Sequence, residues 1–212
     1  MNPVPELRID VWSDYVCPFC YLELPAIRRL EARFAGQLNV VWRAFELRPE
    51  PNPTLDPSGE YLATTWAQSV YPMAAERGMN LKLPPVQPRS RKALESALFA
   101  NTHGSFAQMH GALFRAFFEQ GRDIGDTDVL CEIAGENGLE PDTLRHALDH
   151  HHYTSQVLDD EQLAHTLGVT GVPAMLLRMA DMPWQRAVPI RGAVPYDTLE
   201  PAISELLAGL AR

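Results

Sequence analysis

Cysteine is scarce in this chain. Three residues of 212 are cysteine, too few for a disulfide framework and in keeping with a reducing compartment. Excess positive charge is absent as well. Twenty-seven acidic residues against 18 basic ones leave a net charge of −9, which argues against a nucleic-acid partner, because such a partner needs a basic stripe. No apolar run reaches the ~18 residues of a membrane span, so no membrane partner is expected. Residues 1–7 carry neither a basic region nor a long apolar run. They do not read as a secretory signal, and the expected location is the cytoplasm. Repeats and low-complexity tracts are also missing. What remains is a chain long enough for one large domain or a domain with a sizeable insertion, with 46% hydrophobic residues to build its core.

Two of the three cysteines stand together in Cys17-Pro18-Phe19-Cys20. Before them, residues 7–12 read as a buried strand. After them, residues 21–34 read as an amphipathic helix. The pair therefore falls at a strand-to-helix turn, with Cys17 near the helix N-terminus, where free N–H groups and the helix dipole favour a thiolate. Pro18 suits the first helical position, because its missing N–H would have no partner there. Two other readings of the pair exist. A zinc half-site would need about two further ligands, usually from a second CxxC, and there is none. Incidental core cysteines need no such placement. A redox dithiol is the reading that uses the position.

Gly36 reads as the cap that ends this helix, and residues 37–47 read as a second strand, rich in Val, Trp and Phe. Strand, helix and strand at this spacing make a βαβ unit with parallel strands. Four prolines between Pro49 and Pro57 mark an extended connector. Residues 59–167 are then mostly helical in pattern. The first helix of that block contains Pro72, which should break or kink it. Ser90 and Asp126 read as N-caps. Phe106, Met109, Leu113, Phe114, Phe117 and Phe118 recur at helical spacing and read as core. Strand patterns return with residues 174–178 and 187–191, the latter an edge strand because Pro189 cannot donate to a ladder. A helix over 196–210 closes the chain, with Leu199, Ile203, Leu206, Leu207 and Leu210 on one side. The expected fold is α/β: a β-α-β…β-β-α order over residues 1–58 and 168–212, with an all-helical insertion of residues 59–167, the layout that the thioredoxin fold of the family resembled below would have.

Three segments in this order resemble the DsbA family of the thioredoxin superfamily, and within it the cytoplasmic FrnE-like branch. They are residues 13–21 around the CxxC, residues 117–126 (Phe-Phe-Glu-Gln-Gly-Arg-Asp-Ile-Gly-Asp), and residues 167–173 (Leu-Gly-Val-Thr-Gly-Val-Pro). The resemblance implies a thiol–disulfide oxidoreductase that needs no bound cofactor. Cys17 would be the attacking thiolate and Cys20 the resolving thiol. Pro173 would be a cis-proline facing them. Pro18, Phe19 and Val172 would contact substrate, Val172 by offering its backbone to an extended peptide. Partners would be disulfide- or thiol-containing proteins and peptides, with glutathione as a possible redox partner or co-substrate and a homodimer as a possible assembly. The strongly oxidising relative has His in its middle dipeptide. Phe19 cannot hydrogen-bond a thiolate, so a less oxidising pair is expected.

Asp14 has two readings, a cap of the local turn or a proton relay to the buried thiol. Cys131 lies beside the apolar stripe of Val129, Leu130, Ile133 and Ala134 and reads as a border residue. His150-His151-His152 has a metal-binding composition. Consecutive helical residues face different ways, however, and no metal site is expected there. Two rival functions stay open. Kappa-class glutathione transferases and 2-hydroxychromene-2-carboxylate isomerases share the layout, typically with serine where this chain has Cys17 and with glutathione supplying the thiol. A peptide-binding holdase would use the insertion as its docking surface.

Overall fold

The computed structural model describes residues 7–210, with side chains through residue 207. The N-terminal reading over residues 1–6 and the placing of the Leu210 side chain lie outside that range. Strand β1 (Leu7–Ser13) is followed by helix α1 (Pro18–Arg33) and strand β2 (Leu38–Ala44). Helices α2 (Glu60–Thr65), α3 (Tyr71–Glu76), α4 (Arg91–Thr102), α5 (Phe106–Phe118), α6 (Thr127–Glu136), α7 (Pro141–Asp149) and α8 (Thr154–Thr166) come next. Strands β3 (Ala174–Met179) and β4 (Val188–Arg191) and helix α9 (Tyr196–Leu210) complete the order. This is the mixed α/β arrangement of a thioredoxin fold with helices between its second and third strands.

The sheet order is β2-β1-β3-β4. β1 runs parallel to β2, pairing Leu7 with Leu38 and Ser13 with Ala44. It runs antiparallel to β3, pairing Trp12 with Ala174. That register decides where chemistry can happen. The end of β1, the end of β2 and the start of β3 all fall at one edge of the sheet. Residues 14–17, 45–47 and 168–173 therefore meet, although more than 150 positions separate the first from the last. β4 is an edge strand, as Pro189 requires.

Leu7, Ile9 and Val11 of β1 pack with Ile27 and Leu30 of α1, Met175 and Leu177 of β3, and Leu199 and Ile203 of α9. The opposite face is covered by α8, where Ala164 packs with Trp12, Phe45 and Leu176. Asp10 lies fully buried within β1, neutralised by Arg8 at 2.8 Å and Arg43 at 3.0 Å. Arg43 reaches on to Asp160 of α8 at 2.7 Å, which fixes that helix across β2.

β2 is shorter than the apolar pattern over 37–47 predicts. The Glu46 N–H donates to Glu161 Oε1 at 2.9 Å and the Leu47 N–H to Asp14 Oδ2 at 2.7 Å. Side-chain carboxylates have taken the amides that a longer ladder would need. Pro72 does not break its helix. A π-helical turn at Trp66–Val70 joins α2 to α3 and places Pro72 at the start of α3, where a missing N–H costs least. Cys131 is no border residue. It is buried in the main core, because α7 packs over α6. Nor are His150, His151 and His152 helical: α7 ends at Asp149, and His151 adopts a left-handed φ of 55°. The rings of His146, His150 and His152 gather at 4.0–5.9 Å on the exposed surface. Among the described residues, no His, Cys, Asp or Glu cluster is arranged to hold a metal ion.

Candidate active site

Cys17 is the N-cap of α1. Its backbone is extended and Pro18 is the first helical residue. The Cys17 N–H donates to Asp14 O at 3.1 Å. Its own carbonyl accepts from Cys20 N at 3.1 Å and Tyr21 N at 3.4 Å. The turn and the first helical bonds thus fix both cysteines, which are free thiols, 5% and 1% exposed. Cys17 Sγ lies 3.5 Å from the carbonyl oxygen of Val172, and the Val172–Pro173 bond is cis. Pro18, Phe19 and Val172 are half-buried around the pair, and Pro173 is buried. A groove of about 250 Å3 runs along residues 167–176, bordered by Pro189, Arg191 and Gly192. Val172 is among the residues that line it.

The helical insertion forms the floor of this site. Tyr21 stacks on Phe114 and Phe118 of α5, with ring centroids 5.2 and 5.9 Å apart, and donates its hydroxyl to Glu119 at 2.5 Å. Tyr15 and His110 pair through the Tyr15 hydroxyl and His110 Nδ1 at 2.7 Å. Burial, helped by the charge of Arg28, pushes His110 down to about 3, so its imidazole is neutral at physiological pH.

Two groups beside the sulfurs are shifted by the same burial. Cys20 is raised well above the usual thiol range, first by burial and then by its neighbour Cys17. The Asp14 amide and the Ser13 hydroxyl pull the other way. Asp14 has no exposed surface, and burial raises its carboxyl to about 6. The Leu47 amide, the Ser90 hydroxyl and the Val16 amide oppose that rise, while the charge of Glu46 adds to it. Asp14 caps the local turn through Val16 N at 3.3 Å. It is also a buried acid poised near neutrality in the turn that carries the two cysteines, so the two readings of this residue are not exclusive.

The structure thus brings together Asp14, Cys17, Pro18, Phe19, Cys20, Val172 and Pro173, and leaves Cys131 and the three histidines elsewhere. Sequence reading missed Tyr15, His110 and Glu46. The one available signal was Glu46, a charge between Phe45 and Leu47 in an otherwise apolar run.

Comparisons with known proteins agree with this geometry. The model of a DSBA-like thioredoxin domain matches residues 8–204. The YwbO protein of Bacillus subtilis, itself uncharacterised, is 34% identical over 208 residues, covering 94% of this chain and 96% of its own. A probable DsbA oxidoreductase of Streptomyces coelicolor superposes with a TM-score of 0.77 at 25% identity, over 96% of this chain and 91% of its own. A 2-hydroxychromene-2-carboxylate isomerase superposes almost equally well, with a TM-score of 0.76 at 18% identity, over 96% and 98%. At that identity the likeness concerns the fold alone.

Proposed function

The chain belongs to the family of DSBA-like thioredoxin domains, and from that premise we propose that it exchanges disulfides with protein and small-thiol substrates through Cys17 and Cys20. The Cys17 thiolate attacks a substrate disulfide. One substrate sulfur leaves as a thiolate and the other stays bound to Cys17. Cys20 gives up its proton, attacks Cys17 Sγ and releases the second substrate sulfur. The enzyme is left with a Cys17–Cys20 disulfide and the substrate is reduced by two electrons. Run backwards, the same steps oxidise a dithiol. Asp14, raised to about 6, is the group we assign to take the Cys20 proton. The Val172 carbonyl and the groove behind it would hold the extended substrate chain.

The observation that carries this reading is the 3.5 Å approach of Cys17 Sγ to Val172 O at the cis-proline turn. With three cysteines in the whole chain, we place the protein in a reducing, cytoplasmic compartment as a FrnE-like enzyme. Glutathione, the small thiol of such a compartment, is its redox partner. Insulin reduction tests the assignment. Cys17→Ser should abolish it, and Cys20→Ser should trap a Cys17-linked mixed disulfide. Wild-type activity of Cys17→Ser in insulin reduction would refute it. Glutathione-dependent isomerisation of 2-hydroxychromene-2-carboxylate by the Cys20→Ser variant would support the isomerase reading instead. Aggregation suppression untouched by either change would support a holdase.

A further inference from the structure

A cavity of about 800 Å3 lies between the connector after β2, the first turns of α4, the turn before α6 and helix α8. That is the size of a site for a small ligand or for a long side chain with its flanks. The cavity adjoins the dithiol turn. A narrow cleft lined by Val16, the neighbour of Cys17, meets it at Pro88 and Arg89, which border both. A substrate chain that leaves Cys17 on the side of Val16 is thus led toward it.

Its charges are unbalanced. Six carboxylates line the cavity against three cations, and each cation is already engaged. Arg91 holds Glu46 at 2.7 Å. Arg89 holds Glu50 at 3.3 Å and donates to the Arg48 carbonyl at 2.9 Å. Lys92 donates to the Thr127 hydroxyl at 2.8 Å. Two of the carboxylates are buried and short of partners. Glu46 is 5% exposed, and its Oε1 has no hydrogen-bond partner. Glu95 is 2% exposed. It accepts the Thr154 hydroxyl at 2.5 Å and makes no ion pair among the described residues. A buried carboxylate is costly unless it is paired and hydrogen-bonded. Leu148 and the exposed Leu158 line the same space and give it an apolar side. Apolar walls that end on carboxylates fit an alkyl stem carrying a cation. Among the described residues the acids are not gathered as metal ligands, so the cation that fits is an organic one.

We propose that this cavity receives a lysine or arginine side chain of the disulfide substrate, one that flanks the half-cystine attacked by Cys17. The ammonium or guanidinium group supplies the donor that Glu46 Oε1 lacks and the countercharge that Glu95 lacks. The inference rests on the reading of Cys17 and Cys20 as an exchange centre, and it adds a substrate class, basic polypeptides. The net charge of −9 draws such chains toward the protein. Neither cysteine lines the cavity, so the gain belongs to binding and not to the exchange of bonds.

The test is single-turnover exchange between the reduced enzyme and a set of peptides, each closed by one intramolecular disulfide. The peptides differ at one position beside a half-cystine, where lysine, norleucine or glutamate is placed, and the position is scanned. At the best position lysine should lower the half-saturating concentration roughly tenfold below norleucine, while the limiting rate stays the same. Glutamate should raise it. The lysine-to-norleucine ratio is read within each variant, so a general loss of activity does not move it. Glu95→Gln should abolish the preference. Leu158→Lys, a change at an exposed position, brings an ammonium of the chain's own to the cavity and should abolish it too, which decides the matter if Glu95→Gln does not fold. A wild-type enzyme that exchanges none of the peptides brings down the reading of the dithiol. Exchange of all of them with equal half-saturation at every position, or a preference that survives these variants, overturns the present inference and leaves that reading intact. Spermidine that raises the melting temperature while the peptides remain equal would give the cavity to a free amine and overturn it as well.

Discussion

Replacing Asp14 by Asn should stabilise the reduced protein, and only above a definite pH. In the folded chain the Asp14 carboxyl titrates at about 6 against a usual 3.8, chiefly because burial disfavours its charge. A folded-state value above the unfolded one means that the folded state holds its proton longer. Stability is therefore lost as pH rises from about 4 to about 6, and the loss is complete above that window. At about 1.36 kcal/mol per pH unit, the rise from 3.8 to about 6 corresponds to about 3 kcal/mol. Asn removes this cost. Its carbonyl keeps the Leu47 amide now at 2.7 Å, but its NH2 must face the Val16 amide that Asp14 Oδ1 accepts at 3.3 Å. Losing that bond gives back about 1 kcal/mol. The variant should gain about 2 kcal/mol at pH 8 and lose about 1 kcal/mol at pH 3.5. Urea unfolding of both proteins under reducing conditions, at several pH values with m unchanged, reads the difference directly. Other carboxyls titrate in the same range, but they cancel between wild type and variant. A difference in stability that stays flat from pH 3.5 to 8 would refute the assignment of a costly buried charge to this residue.

Glu23 is held between α1 and Arg77, which bonds both its carboxylate at 3.2 Å and the neighbouring Leu22 carbonyl. Burial raises it from the usual 4.5 to about 7, against the pull of Arg77. Glu23→Gln keeps an acceptor for Arg77 and should gain about 3 kcal/mol above pH 7, a gain that shrinks to nothing below pH 4.5 in the same urea assay. Gly111 lies inside α5, where an added Cβ would meet Arg28 Nη2 at 2.7 Å and Arg115 Nη1 at 3.1 Å. Both are far ends of flexible side chains, so Gly111→Ala should raise stability by up to about 1 kcal/mol. A loss on thermal unfolding would mean that Arg28 cannot move. Because Phe19 offers the Cys17 thiolate no hydrogen bond, the dithiol should be more reducing than the about −120 mV of the strongest oxidant of this superfamily. Equilibration with glutathione measures this, and a value at or above −120 mV would contradict it.

The strand order and the helical block were legible because their signals are local. Val and Trp in residues 38–44 and a 3.6-residue apolar period in α5 do not depend on distant partners. The CxxC announced a reactive turn for the same reason. The juxtaposition with Val172 and Pro173 came only through resemblance, since it depends on the antiparallel register of β1 and β3. Features that hang on one long-range contact stayed hidden. The burial of Cys131 needs α7 to fold over α6. His110 meets Tyr15 across 95 positions. Ser90 was rightly placed at a helix start, yet its buried hydroxyl makes no capping bond.

Dithiol exchange and glutathione-borne thiol chemistry share this fold, so the fold cannot choose between them. The surroundings of the second sulfur support the exchange proposed above. Cys20 is 1% exposed and its thiolate is strongly disfavoured by burial. In a mechanism whose thiol arrives on glutathione, Cys20 would have no sulfur to attack, and a buried neutral thiol would need nothing around it. Here the Asp14 amide offsets part of that cost, and the Asp14 carboxyl, raised to about 6, lies in the turn before α1. Polar groups in a core are expensive unless they are used. Groups that ease the ionisation of Cys20 are of use to a reaction in which Cys20 attacks, as in the exchange proposed above.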